Sequence, residues 1–170
     1  MRTFYDLVRR EGLEEIAEWL GIHRLITPRA YRVLPENVKE ARKITRKSVG
    51  VFECSNIAQA KKMGKVEGAI LILNPRIDAE TVSIMMHYGS VPALTLALAR
   101  KRFDTFVWNM HVLLERHYPP LLASWAEKPE EMRAPREIAA VGVAGGMSIP
   151  QALDAVSTRW RELLEKKGTT

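Results

Sequence analysis

The segment 124–157 holds the polar residues whose spacing is best suited to chemistry. Arg133 and Glu137 stand four positions apart, on either side of Pro135. A proline fits the first turn of a helix, so a helix is expected to begin here and to stop near the glycines at 145–146. Residues four apart share one helix face, where an ion pair contributes about 0.2–0.5 kcal/mol. On spacing alone, the simplest interpretation is a solvated salt bridge.

Other patterns that would signal an enzyme are mostly missing from the sequence. The glycine-rich run 142–146 lies at the end of the expected helix, which suits helix termination and close packing better than phosphate binding. Ser124 precedes the bulky Trp125 and has no Gly-x-Ser-x-Gly motif around it. No two histidines have the His-x-His or His-x-x-x-His spacing of a metal site. The histidines are His23, His87, His111 and His117. We therefore expect no catalytic residue and no metal ligand in this chain.

The charge balance of the chain is basic. It has 26 lysines and arginines against 20 aspartates and glutamates, a formal net charge of +6. Two stretches concentrate the excess: residues 39–47, and Arg100–Arg102 directly after an apolar run. Such clusters favour a polyanionic partner, but many helices carry cations for solubility alone. Charge by itself leaves both interpretations open.

Length and composition limit the kind of protein this is. At 170 residues with 46% hydrophobic side chains, the chain fits one domain covering residues 1–170. Aliphatic runs such as Ala69–Leu73 are far shorter than the ~20 residues of a membrane span, and the N-terminus has no apolar signal segment. A soluble cytoplasmic protein without a membrane partner is expected. Cys54 is the single cysteine and is expected to be a small buried residue.

Short aliphatic runs alternate with amphipathic runs, which predicts βα units around a mostly parallel sheet. The expected strands lie near Phe4–Val8, Leu25–Ala30, Ser48–Cys54, Gly68–Leu73, Pro92–Leu98 and Pro120–Ser124. Besides the helix after Arg133, the expected helices are Leu13–Leu20, Pro35–Ile44, Asn56–Met63, Ala79–Tyr88, Arg102–His117, Ile149–Val156 and Thr158–Lys167. Because a complete (β/α)₈ barrel typically has ~250 residues, we expect an α/β fold that is a shortened or distorted TIM-barrel-like barrel.

Beyond these patterns, the C-terminal part of the chain resembles the ribonuclease P protein component 3 family of archaea and eukaryotes. The strong matches are Ser124-Trp125-Ala126, Arg133-Ala134-Pro135-Arg136-Glu137, Gly146-Met147-Ser148-Ile149-Pro150-Gln151-Ala152, and Ser157. Weaker matches are Leu73-Asn74-Pro75-Arg76, Ile77-Asp78 and the stretch from Gly89 to Leu96. The first fifty residues match only in the order of their elements.

The resemblance implies a barrel related to metal-dependent phosphoesterases (PHP-like barrels), with no cofactor or metal chemistry of its own. Members of the family bind ribonuclease P RNA, usually as a tight pair with protein component 2. Together they help the RNA, which requires magnesium, to remove 5′ leaders from precursor tRNA. Carried over to this chain, Arg133 and Arg136 are expected to contact RNA phosphate, with Glu137 orienting Arg133. A guanidinium suits this role because it donates to two phosphate oxygens at once.

The expected RNA-binding residues combine this motif with the clustered cations. They are Arg9, Arg10, Lys39, Arg42, Lys43, Arg46, Arg100, Lys101, Arg102, Arg133, Arg136 and Glu137. The expected partners are ribonuclease P RNA, component 2 and other subunits of the particle, and indirectly precursor tRNA.

The chain departs from the family pattern at several positions. Asn74 stands where the family commonly has the histidine of His-Pro, and Ala79 stands where a histidine follows Leu-Asp. The loop after Leu98 is also expected to be much shorter than in relatives, with Arg100–Arg102 supplying its charge. The chain therefore looks like a trimmed archaeal member of the family.

Two other classes of function remain as alternatives at this point. One is a small barrel phosphohydrolase of the same ancestry, which would turn over a phosphate ester without RNA. The other is an α/β oligomerisation module whose interface contains large aromatic residues. The candidates for that interface are Phe103, Trp108, Trp125 and Trp160.

Overall fold

The computed structural model describes residues 2–26, 30–31, 35 and 37–168, and within them helices alternate with strands that pair only in parallel. The strands are β1 (Tyr5–Leu7), β2 (Arg24–Ile26), β3 (Ala30–Tyr31), β4 (Val51–Cys54), β5 (Ile70–Leu73), β6 (Val91–Thr95) and β7 (Leu121–Ala123). The helices are α1 (Glu14–Trp19), α2 (Val38–Lys47), α3 (Ile57–Met63), α4 (Ala79–Tyr88), α5 (Leu96–Lys101), α6 (Phe103–Glu115), α7 (Pro135–Ala144), α8 (Ile149–Ala155) and α9 (Thr158–Lys166). The expected α/β class with parallel pairing is confirmed.

The strands form two sheets whose ends approach each other. β1 pairs with β2, and the other five lie in the order β3-β4-β5-β6-β7. The backbone N–H of Trp125 donates to the carbonyl of Leu7 at 3.0 Å, and that of Arg9 donates to Ala126 at 2.9 Å. The end of β1 therefore lies beside the segment that follows β7. The two sheets together form a series of seven strands with β2 at one end and β3 at the other.

Alternate residues of the strands face two separate hydrophobic cores. In β5, Leu71 and Leu73 belong to the larger core, which includes side chains of α3, α4, α6, α7 and α8. Ile70 and Ile72 belong to the second core, which Trp160 of α9 fills. We call this second side of the strands the α9 face. All four β5 residues are buried, as expected for a parallel strand covered on both sides.

Helix ends are fixed by capping residues that the sequence displays. The Asn56 side chain accepts from the backbone N–H of Gln59 at 2.9 Å and begins α3. Gly89 ends α4 with φ of 73°, a left-handed conformation that costs glycine little. In α7, a Cβ on Gly142 would lie 2.4 Å from Leu122 Cδ1 of β7, so only glycine lets the helix pack this closely. The predicted role of the glycine run in helix termination and close packing is confirmed.

One predicted strand is too long, and another can be compared with the structure only in part. The strand expected over Pro92–Leu98 was extended too far, since β6 ends at Thr95 and α5 begins at Leu96. The Thr95 hydroxyl oxygen accepts from the backbone N–H of Leu98 at 3.1 Å, which begins a helix where the strand was expected to continue and a short loop to follow. Part of the strand expected over Leu25–Ala30 falls on residues 27–29, which lie outside the described residues.

Candidate functional site

Three polar side chains and Trp125 continue the α9 face at or just beyond the carboxyl ends of the strands. Each follows, two positions later, an apolar residue of the second core. The pairs are Leu7 and Arg9, Val51 and Glu53, Ile72 and Asn74, and Ala123 and Trp125. Because side chains alternate along a strand and parallel strands share their carboxyl edge, these four residues converge at one end of the sheets.

Arg9 lies at the centre of this convergence. Its Nη2 donates to Glu53 Oε2 at 2.9 Å, and its Nη1 lies 2.8 Å from Glu127 Oε1. Asn74 Nδ2 donates to the other Glu53 oxygen at 3.1 Å. The guanidinium carbon lies 5.9 Å from the centroid of the Trp125 ring, within range of a cation–π interaction. We call these five residues the Arg9 cluster.

Trp125 occupies an unusual backbone conformation within the Arg9 cluster. Its φ is 56°, in the left-handed region that bulky residues rarely adopt and that costs on the order of 1–3 kcal/mol. The side chain is buried, and within the described part of the chain neither its Nε1 nor Arg9 Nε has a hydrogen-bond partner. The hydrogen bond from the backbone N–H of Trp125 to the carbonyl of Leu7 holds Trp125 in place.

The chemistry of the Arg9 cluster follows from these contacts. Both oxygens of Glu53 are engaged, and the Arg9 guanidinium lies between two carboxylates. The arrangement ties together the ends of β1, β4 and β5 and the segment after β7. Arg9 was expected to contact RNA phosphate; the structure places it among acidic groups, while the neighbouring Arg10 is exposed. Glu53 and Glu127 were not among the expected site residues; for Glu53, a polar residue near the end of a buried strand was a usable signal.

A buried carboxyl group, that of Asp6, lies in the middle of β1. Its Oδ1 accepts from the backbone N–H of Ser124 at 2.7 Å, and its Oδ2 has no partner among the described residues. Burial raises the pKa of Asp6 to about 7, against the lowering effect of the hydrogen bonds from Ser124. Asp6 thus joins β1 to the end of β7 as a group that is partly protonated near neutral pH.

The cations of α2 share one exposed helix surface, which we call the α2 basic face. It consists of Lys39, Arg42, Lys43 and Arg46. On the opposite side of α2, Ala41 and Thr45 are buried. Asn37 caps the helix by accepting from the backbone N–H of Glu40 at 2.9 Å. The structure therefore brings together four of the expected RNA-binding residues on one side of a well-capped helix.

The cations at 100–102 lie at the end of α5 and just beyond it. Arg100 donates to the carbonyl of Glu131 at 3.0 Å, and Arg102 donates to the Thr105 hydroxyl at 2.9 Å. Lys101 is exposed. Two of these three expected RNA-binding residues thus have partners within the protein.

Arg133 and Glu137 bind backbone groups rather than each other. Arg133 Nη1 donates to the carbonyl oxygens of Glu130 and Met132, at 2.7 and 2.5 Å. Glu137 accepts from the backbone N–H of Ala134 at 2.9 Å and so caps the start of α7. The expectation that Glu137 orients Arg133 is not what the structure shows: Glu137 accepts from the N–H at the start of α7, and Arg133 donates to carbonyls of the segment before that helix.

Arg133 and Arg136 line different grooves on the two sides of α7. Arg133 and Glu137 line a groove of about 350 Å³ together with Arg100. Arg136 lines a larger groove of about 800 Å³ with apolar walls. The two arginines of the motif therefore do not form one site.

Other side chains considered in the sequence analysis have clear positions. Cys54 is buried as expected, and burial raises the pKa of its thiol to about 12. Trp125 and Trp160 are buried, so neither is available for an oligomer interface, whereas Phe103 and Trp108 are about half exposed. Across residues 2–26, 30–31, 35 and 37–168, the structure contains no group of three histidine, cysteine or acidic side chains suited to hold a metal ion. Over the same residues, no helix has the length and apolar character to cross a membrane.

Comparison with known proteins gives no assignment. No protein-family model matches the sequence, and no curated protein matches it significantly. The resemblance to ribonuclease P protein component 3 therefore rests on the motif residues alone.

Proposed function

We propose that this protein is a non-catalytic RNA-binding subunit of ribonuclease P, which supports the catalytic RNA in removing 5′ leaders from precursor tRNA. The α2 basic face carries this proposal, together with the C-terminal motif. Four cations share the exposed side of α2, whose residues Val38–Lys47 include one acidic side chain, Glu40. A row of this kind matches the regular negative charge of a nucleic-acid backbone. Ribonuclease P protein component 2 is the proposed protein partner in a cytoplasmic particle.

The proposal includes a barrel architecture related to PHP-like phosphoesterases. Its support is the strand series β2-β1-β7-β6-β5-β4-β3, in which the end of β1 hydrogen-bonds to the segment after β7. In a closed barrel, β2 and β3 would also be neighbours. The Arg9 cluster would then lie inside the mouth of the barrel, at the end where barrel enzymes carry their active sites.

The contacts rank the expected RNA-binding residues. Lys39, Lys43 and Arg46 are exposed on α2, and no hydrogen bond or ion pair joins them to another described side chain. Lys101 and Arg10 are exposed as well. These residues are the first candidates for phosphate contacts, ahead of the arginines that already bind groups within the protein.

The test is the salt dependence of binding to ribonuclease P RNA from the source organism. Each phosphate contact contributes about 0.7–0.9 to the slope of log affinity against log salt. The triple variant Lys39→Gln, Lys43→Gln, Arg46→Gln should therefore flatten the slope by about 2–3. Between 50 and 200 mM salt, wild-type affinity should then fall about 20- to 40-fold more than that of the variant.

A matched control variant distinguishes binding through the α2 basic face from binding through the overall positive charge of the protein. Arg116, Arg161 and Lys166 are exposed and lie outside α2 and the C-terminal motif. Their replacement by glutamine removes the same net charge and should leave most of the slope intact. Equal flattening by both triple variants, or no salt dependence in the wild-type protein, would contradict the proposal.

The second candidate function is a small barrel phosphohydrolase, which the position of the Arg9 cluster at the carboxyl strand ends favours. Its weakness is that Arg9 and Asn74 already engage both Glu53 oxygens. Turnover of p-nitrophenyl phosphate by the purified protein, abolished by Glu53→Gln, would support this function over the RNA-binding one.

A further inference from the structure

A large apolar groove lies away from the α2 basic face and the Arg9 cluster. Its volume is about 800 Å³, and it runs between α7, α8 and the segment before β1. Its walls include Phe4, Val143 and Ile149, of which Val143 is 39% exposed and Ile149 is 66% exposed. Exposed apolar side chains grouped around a groove mark an interaction surface.

The polar side chains that line the groove can all donate hydrogen bonds, and none of the described ones is acidic. They are Arg2, His23 and Arg136. Arg2 is paired with Asp154 at 3.3 Å. His23 Nδ1 accepts from the backbone N–H of Phe4 at 3.1 Å, so the ring proton lies on Nε2 as a donor. Arg136 is exposed, and no hydrogen bond or ion pair joins it to another described residue.

The floor of the groove suits a helix. Ala139 and Ala152 are buried and Ala140 is exposed, so the lining helices present small side chains that allow another helix to approach closely. An amphipathic helix binds such a groove through apolar residues at positions i, i+3 or i+4, and i+7. An arginine at the rim adds a preference for a carboxylate beside the apolar stripe.

From this combination we infer that the groove docks an amphipathic helix of a partner protein, with an aspartate or glutamate placed against Arg136. This inference goes beyond RNA binding and does not rest on it. It assigns Arg136 to a protein contact, although the family motif implies a phosphate contact for that residue.

The experiment introduces a photo-crosslinking residue, p-benzoylphenylalanine, at Val143 of the full chain in cells of the source organism. The same residue at Met86 is the control, because Met86 is 45% exposed and does not line the groove. Mass spectrometry of the crosslinked peptides identifies the contacted segment. The expected result is a crosslink from Val143, absent from Met86, to one face of an amphipathic helix with an acidic residue next to the apolar stripe.

A charge exchange then tests Arg136 directly. The identified helix is synthesised as a peptide, and its affinity for the purified full chain is measured. Arg136→Glu should weaken binding about fivefold, and replacing the peptide's acidic residue by lysine should restore binding to this variant. Arg136→Lys should bind nearly as well as the wild type. Melting temperatures of the variants verify that the protein remains folded.

Several outcomes would overturn the inference. Crosslinks from Val143 to RNA, to lipid or to a second copy of this chain would each identify a different occupant. Equal crosslinking from Met86, or no crosslink from Val143, would mean that the groove is not a docking site. Insensitivity of peptide binding to Arg136→Glu would remove the predicted carboxylate contact.

Discussion

Neutralising Asp6 should make the protein less sensitive to rising pH. The pKa of Asp6 is raised from 3.8 to about 7 by burial in β1, where one carboxyl oxygen accepts from Ser124 and the other has no described partner. The folded protein therefore holds a proton that the unfolded chain releases above about pH 4. The resulting stability is complete below the unfolded pKa and is lost as pH rises through about 7.

The size of the effect follows from the difference between the two pKa values. About three pH units correspond to about 4 kcal/mol over the full range, since one unit is 1.36 kcal/mol. Between pH 5 and pH 8.5, the contribution of Asp6 to the free energy of unfolding should fall by about 2–3 kcal/mol. Asp6→Asn keeps an oxygen for the Ser124 N–H and has no proton to lose, so it should lack this decline.

Urea unfolding followed by tryptophan fluorescence measures the effect, because Trp125 and Trp160 are buried. Free energies of unfolding are compared for wild type and Asp6→Asn from pH 5 to pH 8.5. Ser124→Ala is the control: it keeps Asp6 and the backbone hydrogen bond, so it should keep the decline. Parallel curves for wild type and Asp6→Asn would refute the idea that folding raises the pKa of Asp6.

Four other substitutions test the packing and the candidate site. Gly142→Ala should lower the free energy of unfolding by about 1–3 kcal/mol, because the new Cβ would lie 2.4 Å from Leu122 Cδ1; an unchanged urea midpoint would contradict the close packing of α7. Glu53→Gln should lower the free energy of unfolding by about 1.5–3 kcal/mol, because it removes a charged hydrogen bond to Arg9. Glu127 is the more exposed partner of Arg9, so Glu127→Gln should lower the free energy of unfolding by less than about 1 kcal/mol in the same urea experiment. Arg133→Ala should lower the melting temperature through loss of two bonds to backbone carbonyls; an unchanged melting temperature with weaker RNA-dependent activity would instead support a phosphate contact.

The sequence predicts the helices well because their ends carry local signals. α4 spans the predicted residues Ala79–Tyr88, and Gly89 stops it in the expected left-handed conformation. The continuous apolar run 92–98 was misassigned as one strand because period alone does not separate a buried strand from a buried helix. The change from strand to helix at Thr95 depends on the Thr95 side chain, which caps α5. The apolar pattern of the run does not indicate this cap.

The candidate site was harder to predict because its members come from distant parts of the chain. Arg9, Glu53, Asn74 and Trp125 meet only because parallel strands bring their carboxyl ends to one edge. In the sequence, each of these four residues follows an apolar strand residue by two positions. This pattern predicts a shared site only when it is known which strand residues face the same side of the sheet. The spacing of Arg133 and Glu137 predicted a pair, but Glu137 caps the start of α7 and Arg133 donates to carbonyl oxygens of the preceding segment.

The function proposed for this chain is to support ribonuclease P RNA. It can be tested by cleavage of precursor tRNA by ribonuclease P RNA from the source organism at moderate magnesium, with and without this protein and the component 2 proposed as its partner. Stimulation is expected to require the RNA and to be reduced by the Lys39, Lys43 and Arg46 triple variant but not by the Arg116, Arg161 and Lys166 control. No stimulation, together with no retention of the RNA by the protein, would contradict the claim.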